Sequence, residues 1–533
     1  MKSIVMARRA VGVARGIRRL VRDTVSLAEA QAVVADEVAR RDERFLESLD
    51  ALVWPFRRSP INRLLVAAGL EAGDVRQLVH QRGLVGALEH LRDLGVHVTY
   101  EEAQGRHPVV RGSTRFHVEP ASFFNPIVPA DYMATTGGSR SKGTPVELSF
   151  RWQRRQGVQR VLQHDLLGTR GVPTAVWLPV FPSAAGYGAV MKQAAGGNTP
   201  ERWFSQVPVD LAGISAHKQL ANRAIPALNA MARTGLPSPE HAPTADPEPV
   251  VRWMVDAVAR AGRAAIAGYA TSITAAARWA TDHGISLDGV VAFPASEPVT
   301  SGKLAAIRAS GMQALPAYAF VPEGTVAIGC PSTADEEYHL WDQDLAVITR
   351  RRDRGDGTQV DALCWTSLAV EAPRVLVNVE NDDFGRLHHD VSCDCPLGAL
   401  GLRTHLADIR GMSKVVTGGI SIDGATFDHL CEDVLPARLG GGPGDYQFVE
   451  DDTGGATVIE LRIRPDVGAV DEELALRLVR DAIEQDEFGV LASSVWGDDG
   501  HVRIARRDPH VTRAGKTLAY ERLSPTTRAD TAP

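Results

Sequence analysis

The residues of this chain best suited to chemistry fall into two sets. The first is Cys330, His339, Cys393 and Cys395, with the last two one residue apart in Cys393-Asp394-Cys395-Pro396. Three thiolates and an imidazole make a tetrahedral donor set of the kind zinc favours, and with all four positions filled by protein none stays open to water. Such an ion would staple loops together rather than catalyse. His389 competes with His339 for the fourth position, and Cys330 also reads as an ordinary buried strand residue. Cys364 and Cys431 read as buried, apolar-like cysteines. The second set is Thr135-Thr136-Gly137-Gly138-Ser139-Arg140-Ser141-Lys142-Gly143-Thr144-Pro145. Glycines let backbone N–H groups approach an anion, hydroxyls add donors, and Arg140 and Lys142 supply positive charge, so the segment has the chemistry of a phosphate cradle. The same composition also suits a surface loop.

Positioning such groups takes a large scaffold. With 533 residues the chain exceeds one hydrophobic core, so two or more domains are expected. A hydrophobic content of 44%, a charged content of 23% and a net charge of −7 describe a globular protein and argue against a nucleic-acid partner. Five cysteines in this length do not form a disulfide framework, which fits a reducing, cytoplasmic setting. No stretch reaches the roughly 18 apolar residues of a membrane span. Arg8, Arg9, Arg15, Arg18, Arg19 and Arg22 among apolar residues predict an exposed first helix open to a partner.

Apolar residues at helical spacing (Leu46, Leu49, Leu52; Leu64, Leu65, Ala68; Leu78, Leu84, Leu88, Leu91) predict a helical region within residues 1–95. Strands at Thr174 to Val180, Gly289 to Phe293, Val326 to Cys330 and Val375 to Val379 then alternate with helices at Val250 to Ala265 and Ser301 to Ala309, the pattern of an α/β body. The proline-dense segment 235–249 reads as a surface loop. Near Gly411 the pattern changes to short strands (Tyr446 to Val449, Thr457 to Ile463, His501 to Ala505) and a helix from about Glu472 to Ile483. The expected organisation is therefore a large α/β domain over 1–410 and a small, mobile α+β domain over 411–533.

Read in order, six short motifs give the chain a resemblance to the adenylate-forming ligases, in particular to phenylacetate-CoA ligase and the LuxE-type acyl-protein synthetases. The loop from Thr135 to Gly143 lies where that family holds ATP phosphates, although it is longer than the family's own. Ser296, Glu297 and Pro298 resemble the family's GEPLT segment beside the adenine and acyl pocket. Tyr318 to Glu323 resembles the motif in which a tyrosine stacks near adenine and a glutamate helps hold magnesium, with Pro322 in place of the usual threonine. Asp383, with Asp382 in reserve, matches the aspartate that binds the ribose hydroxyls; its two acceptor oxygens suit that task. Arg410 matches the hinge arginine, with Met412 where an aspartate is usual. Lys516 in Pro509-His510-Val511-Thr512-Arg513-Ala514-Gly515-Lys516 matches the mobile lysine that enters the active site during adenylation.

The resemblance implies ATP and magnesium as cofactors, a carboxylic acid as substrate, and coenzyme A or a carrier-protein thiol as acceptor. An acyl-protein synthetase, an amide-forming ligase and a non-catalytic nucleotide-binding relative are its alternatives, and in the first of these Cys431 would be a candidate acyl acceptor. It also implies an acyl pocket near Trp177, Phe181, Tyr187 and Gly188, and some members of the phenylacetate-CoA ligase branch carry a comparable Cys/His/Cys-x-Cys pattern.

Overall fold

The computed structural model describes residues 2–135, 145–353, 359–412, 414–417, 420–442, 444–451, 458–484, 490–491, 493–494, 502–510 and 519–522. The chain is mixed α/β, with a large N-terminal domain and a smaller C-terminal one.

Two sheets form the large domain. In the first, six strands run in the order Gln313–Ala314, Val290–Ala295, Ala264–Tyr269, Thr174–Trp177, Arg202–Ser205 and Pro239–His241, every pair parallel. Its central strands are buried along almost their whole length, as expected where helices cover both faces of a parallel sheet. In the second sheet, seven antiparallel strands run in the order Ala317–Phe320, Gly324–Ile328, Glu337–Leu340, His405–Gly411, Val379–His388, Gln359–Ser367 and Leu345–Asp353. Both candidate sites are mounted on this sheet.

The helix Phe150–Leu166 has almost no apolar stripe and buries eleven residues, including Gln153, Gln156, Gln159, Gln163 and His164. An amphipathic surface helix buries one face. This one packs against other helices and the strand Gly324–Ile328, so polar residues point inward and find polar partners: His164 contacts Thr169 at 2.8 Å and Gln193 at 2.8 Å.

Several elements follow from local signals. Thr300 and Asp471 accept backbone hydrogen bonds at the starts of helices Ser301–Ala309 and Glu472–Ile483. Other expectations need correction. The helix expected over 250–265 runs from Glu248 to Ala261, because Gly262 ends it in the left-handed conformation (φ 75°) and Ala264–Tyr269 becomes a buried strand. The strand expected at 375–379 begins where that range ends. Asn378 sits at φ 52° with its side-chain amide on the carbonyls of Leu88 and Val96, so the chain turns there before pairing. The proline-dense segment supplies an edge strand, Pro239–His241, a place where proline is tolerated.

The first helix, Lys2–Arg22, keeps Arg15, Arg18, Arg19 and Arg22 exposed. It is not a free arm, since Ala14, Ile17 and Leu20 are buried against the body. In the small domain, strands Val502–Arg506, Val458–Ile463, Tyr446–Asp451 and Tyr520–Arg522 form a mixed sheet. Among the described residues no helix is long and apolar enough to cross a membrane.

Candidate active site and metal centre

Tyr318 and Asp383, 65 positions apart in sequence, meet on the seven-stranded sheet. The Tyr318 hydroxyl donates to Asp383 Oδ2 at 2.5 Å, and Asn381 Nδ2 donates to both oxygens at 2.8 Å. Asn381 and Asp383 stand two apart on the strand Val379–His388, and both reach the Tyr318 hydroxyl. That strand is irregular here: Asp382 is left-handed (φ 71°), the register shifts between Phe384 and Arg386, and a Cβ on Gly385 would lie 2.9 Å from the Ala407 carbonyl. Burial raises the Tyr318 hydroxyl well above its ordinary range, and the adjacent Asp383 raises it further, so it stays a donor. Its ring lies beside Trp365 and Phe320, with centroids 6.0 Å away in each case. Asn381 carries no signal in the sequence, because the left-handed Asp382 breaks the strand alternation between it and Asp383.

Glu323 lies at the turn between strands Ala317–Phe320 and Gly324–Ile328, with its side chain fully buried. Arg374 Nε donates to Oε1 at 2.7 Å and Nη2 to Oε2 at 2.6 Å, a fork that engages both carboxylate oxygens. The Glu323 carbonyl accepts from Trp152 Nε1 at 3.1 Å and from Gln156. This arrangement does not fit the expected magnesium ligand. Its partner was legible only as a lone cation in the apolar run Ala372-Pro373-Arg374-Val375-Leu376.

Glu297 is an anchor. It accepts from the Thr271 backbone N–H at 2.5 Å and the Thr271 hydroxyl at 2.7 Å, and it pairs with buried Lys303 at 3.4 Å, tying the chain to the start of the helix Ala270–Asp282. Ser296 beside it is left-handed (φ 71°), and the Pro298 carbonyl accepts from Lys303 at 3.2 Å. Arg410 is bonded to Glu336, which also accepts from the Ser301 backbone N–H at 3.0 Å.

Trp177 and Tyr187 are core residues rather than pocket walls. Trp177 lies on a central strand buried on both faces, its Nε1 donating to the Ala242 carbonyl at 2.9 Å. Tyr187 stacks on Trp203 with centroids 5.8 Å apart and donates to Asn229 at 2.8 Å. Phe181 is half-buried, with its backbone N–H and carbonyl both bound by Asn222. Gly188 is buried, yet a Cβ there would meet nothing within 4 Å. A Cβ on Gly186 would lie 2.5 Å from the Pro179 carbonyl, so that glycine serves packing.

Thr135 ends the strand Tyr132–Thr135, which pairs with Pro145–Leu148, so the glycine- and hydroxyl-rich segment joins two paired strands. Thr136, Gly137, Gly138, Ser139, Arg140, Ser141, Lys142 and Gly143 lie outside the described residues, as does Lys516.

The thiol set converges. The donor atoms of Cys330, His339, Cys393 and Cys395 all lie within 4.8 Å of one another. Ile328 and His339 are register partners on adjacent strands, which brings Cys330 beside the imidazole. Cys395 caps the short helix Pro396–Ala399. Tetrahedral bonds of about 2.3 Å to sulfur place two sulfurs about 3.7 Å apart. The Cys330 and Cys393 sulfurs are separated by 3.7 Å, and Cys395 Sγ lies 3.3 Å from His339 Nε2.

Backbone N–H groups of Ser332 and Gly398 point at the Cys330 and Cys395 sulfurs from 3.3 and 3.4 Å, as thiolates require. The Cys330 thiol is held below its ordinary range by Cys395 and then by His339. A Cβ on Gly398 would meet the Cys393 carbonyl at 2.0 Å, so only glycine fits there. His389 is not in the group; burial and then Arg41 lower its pKa.

His405 extends the set. His339 Nδ1 faces the Leu402 carbonyl at 3.0 Å and therefore carries the proton, leaving Nε2 to bind. His405 Nε2 also lies 3.1 Å from His339 Nδ1, and His405 Nδ1 meets Glu337 at 2.6 Å. The donor set thus fits zinc, with an outer partner fixing the imidazole.

No protein-family model and no curated protein matches the sequence. Among solved structures, 2-hydroxyisobutyryl-CoA ligase, in complex with 2-HIB-AMP and CoA in the thioesterification state, aligns over 96% of this chain and 93% of its own, with 14% identity and a TM-score of 0.51. Amide bond synthetase McbA from Marinactinospora thermotolerans aligns over 95% and 96%, at 15% identity and a TM-score of 0.31. The first alignment establishes a shared fold.

Proposed function

We propose that this protein activates a carboxylic acid with ATP, forming an acyl-adenylate and pyrophosphate, and then passes the acyl group to a thiol. One observation carries the reading: Tyr318 and Asp383, assigned to adenine and ribose by separate motifs, are bonded to each other at 2.5 Å in a chain with the fold of an acyl-CoA ligase. That ligase is described with an acyl-adenylate and CoA, the two ligands this reading requires.

In the adenylation step the substrate carboxylate attacks the α-phosphate of ATP, the bond from that phosphorus to the bridging oxygen breaks, and pyrophosphate leaves. Asp383, held by Tyr318 and Asn381, accepts from the ribose hydroxyls. The segment from Thr135 to Gly143 binds the phosphates through backbone N–H groups, hydroxyls and its two cations. Lys516 supplies positive charge between the attacking carboxylate and the α-phosphate as charge builds there. Movement of the small domain about Arg410 would withdraw Lys516 and admit the acceptor, coenzyme A or a carrier-protein thiol. The loss of the Trp177 and Tyr187 side chains to the core leaves Phe181 as the aromatic candidate for the acid pocket. Cys330, His339, Cys393 and Cys395 would hold a structural zinc outside this reaction.

The test is carboxylate-dependent exchange of labelled pyrophosphate into ATP over a panel of acids. Exchange with at least one acid, lost in Lys516→Ala, is expected. ATP binding with no exchange for any acid would leave a nucleotide-binding module instead. Thioester formation with coenzyme A, or only with a carrier protein, then identifies the acceptor.

A further inference from the structure

The buried lysine and arginine side chains among the described residues are Lys303, Arg462 and Arg160. Lys303 pairs with Glu297 at 3.4 Å, and Arg462 Nε pairs with Glu460 at 2.9 Å. Arg160, 9% exposed on the helix Phe150–Leu166, has no such partner. Its Nη1 donates to Gln163 Oε1 and its Nη2 to the Thr325 hydroxyl, both neutral groups, and its other N–H groups are taken by none of the described residues. A buried charge is costly unless it is paired. Burial alone lowers the pKa of Arg160 to about 10, with no carboxylate acting against it.

Lys192 supplies a second cation at the same place. It stands on the helix Ala185–Ala195 one turn beyond Gly188 and one turn before Gly196, so they share a face. That face meets Arg160, since a Cβ on Gly196 would lie 2.8 Å from Arg160 Cβ. Helical side chains lean toward the N-terminus, which carries Lys192 over Gly188, where among the described residues a Cβ would meet nothing within 4 Å. Lys192 is half-buried, and none of the described residues bonds its amine. Burial, and then Arg160, lower that amine to about 7, again with no carboxylate acting in the other direction. Gln163 completes the group: its Oε1 is taken by Arg160, and its buried Nε2 has no partner among the described residues.

We infer that Arg160 and Lys192, together with the Gln163 amide nitrogen, form a buried binding site for a small oxyanion, a carboxylate or a phosphate. Two neighbouring cations repel each other, and one oxyanion between them replaces that repulsion with charge-assisted hydrogen bonds from the guanidinium and the ammonium. The anion comes either from solution or from the far end of an acid substrate, because Gly188 lies where the resemblance implies the acid pocket. Only the second source rests on the ligase reading above.

The experiment is acetylation of the full chain by acetic anhydride at about pH 7, read lysine by lysine by mass spectrometry, with and without inorganic phosphate or succinate at constant ionic strength. An oxyanion beside Lys192 favours the protonated amine, so either anion should slow its acetylation at least about fivefold and leave Lys218 within about twofold. Arg160→Met should abolish that protection. Lys192 acetylated at one rate with and without both anions would overturn the inference, a result read on wild type and independent of how the variant folds. So would protection that persists undiminished in a folded Arg160→Met. Pyrophosphate exchange then separates the sources. If the far end of the substrate is the occupant, acids with a second anionic group should exceed their monocarboxylate analogues at least about tenfold in wild type and lose that advantage in Lys192→Met. Equal use of both kinds of acid, with Lys192 still protected, assigns the site to a free anion. Wild type that exchanges no pyrophosphate with any acid defeats the ligase reading while the acetylation result stands.

Discussion

The strand Gly324–Ile328 has a different kind of polar cluster at each end. At its start, Glu323 is matched by Arg374; roughly 20 Å along, at about 3.3 Å per residue, Cys330 joins three other soft donors. The first cluster carries its own cation. Among the described residues, no lysine or arginine is bonded to the four donors of the second. Buried anionic groups need positive charge from somewhere. At Glu323 the chain supplies it through Arg374; at the thiol set it does not, and the geometry suits an ion.

The largest effect should come from removing donors at the thiol end. Cys393→Ser and Cys395→Ser should each lose about one zinc per chain by metal analysis, together with several kcal/mol of stability. Structural zinc contributes about 10–16 kcal/mol in isolated peptides, and less is expected here because His339 is held by the sheet. Wild type that binds no zinc, or that is equally stable with and without it, would remove the contrast between the two ends.

The next effect lies at the other end. Arg374→Met leaves Glu323 buried without its partner and should cost about 3–5 kcal/mol in denaturant unfolding. Adding Glu323→Leu should recover much of that loss, because the second change removes the stranded charge. A double variant as unstable as the sum of the singles would show that the two residues do not act as a pair.

How far the two ends were legible follows from their chemistry. Three cysteines and a histidine are rare enough as residue types to suggest a common site across the strand reversals that bring them together. His405 was not legible, because a histidine in a strand carries no mark of pointing at another histidine. Tyr318 and Asp383 came from motif resemblance and Asn381 from nothing, because the left-handed turn at Asp382 that brings it beside Asp383 leaves no periodic signal. Glu323 was legible as a glutamate at the turn between two strands but not as the partner of Arg374, which lies 51 positions away. The aromatics Trp177 and Tyr187 fail for a related reason: in a parallel sheet covered on both faces, inward-pointing aromatics have the same residue types as pocket walls. The helices Ser301–Ala309 and Glu472–Ile483 give the clearest agreement, because each is started by a cap, Thr300 or Asp471, that acts within three residues.

A smaller effect sharpens the thiol end. His405→Phe keeps the four donors but removes the imidazole nitrogen that faces His339 Nδ1. Outer partners of this kind usually contribute about 10–100-fold to metal affinity. Competition with a chelator should register a loss in that range, without the collapse expected of Cys395→Ser. An unchanged affinity would mean that the Leu402 carbonyl alone orients the imidazole.

The smallest effect is expected for Tyr318→Phe. The ring keeps its packing against Trp365 and Phe320, and Asp383 keeps the donor from Asn381, so the folded state loses the two hydrogen bonds of the Tyr318 hydroxyl, one given to Asp383 and one received from Asn381, in a site that retains a third. A loss of about 1 kcal/mol is expected. ATP affinity should fall further than stability does, because Asp383 loses half of the pair of donors that holds it toward the ribose. Zinc content should not change, since no bond links Tyr318 to the thiol group at the far end of the neighbouring strand. If Tyr318→Phe also sheds zinc, the two ends of Gly324–Ile328 are coupled through the strand, and the separation between a charge-matched site and a metal-requiring one fails.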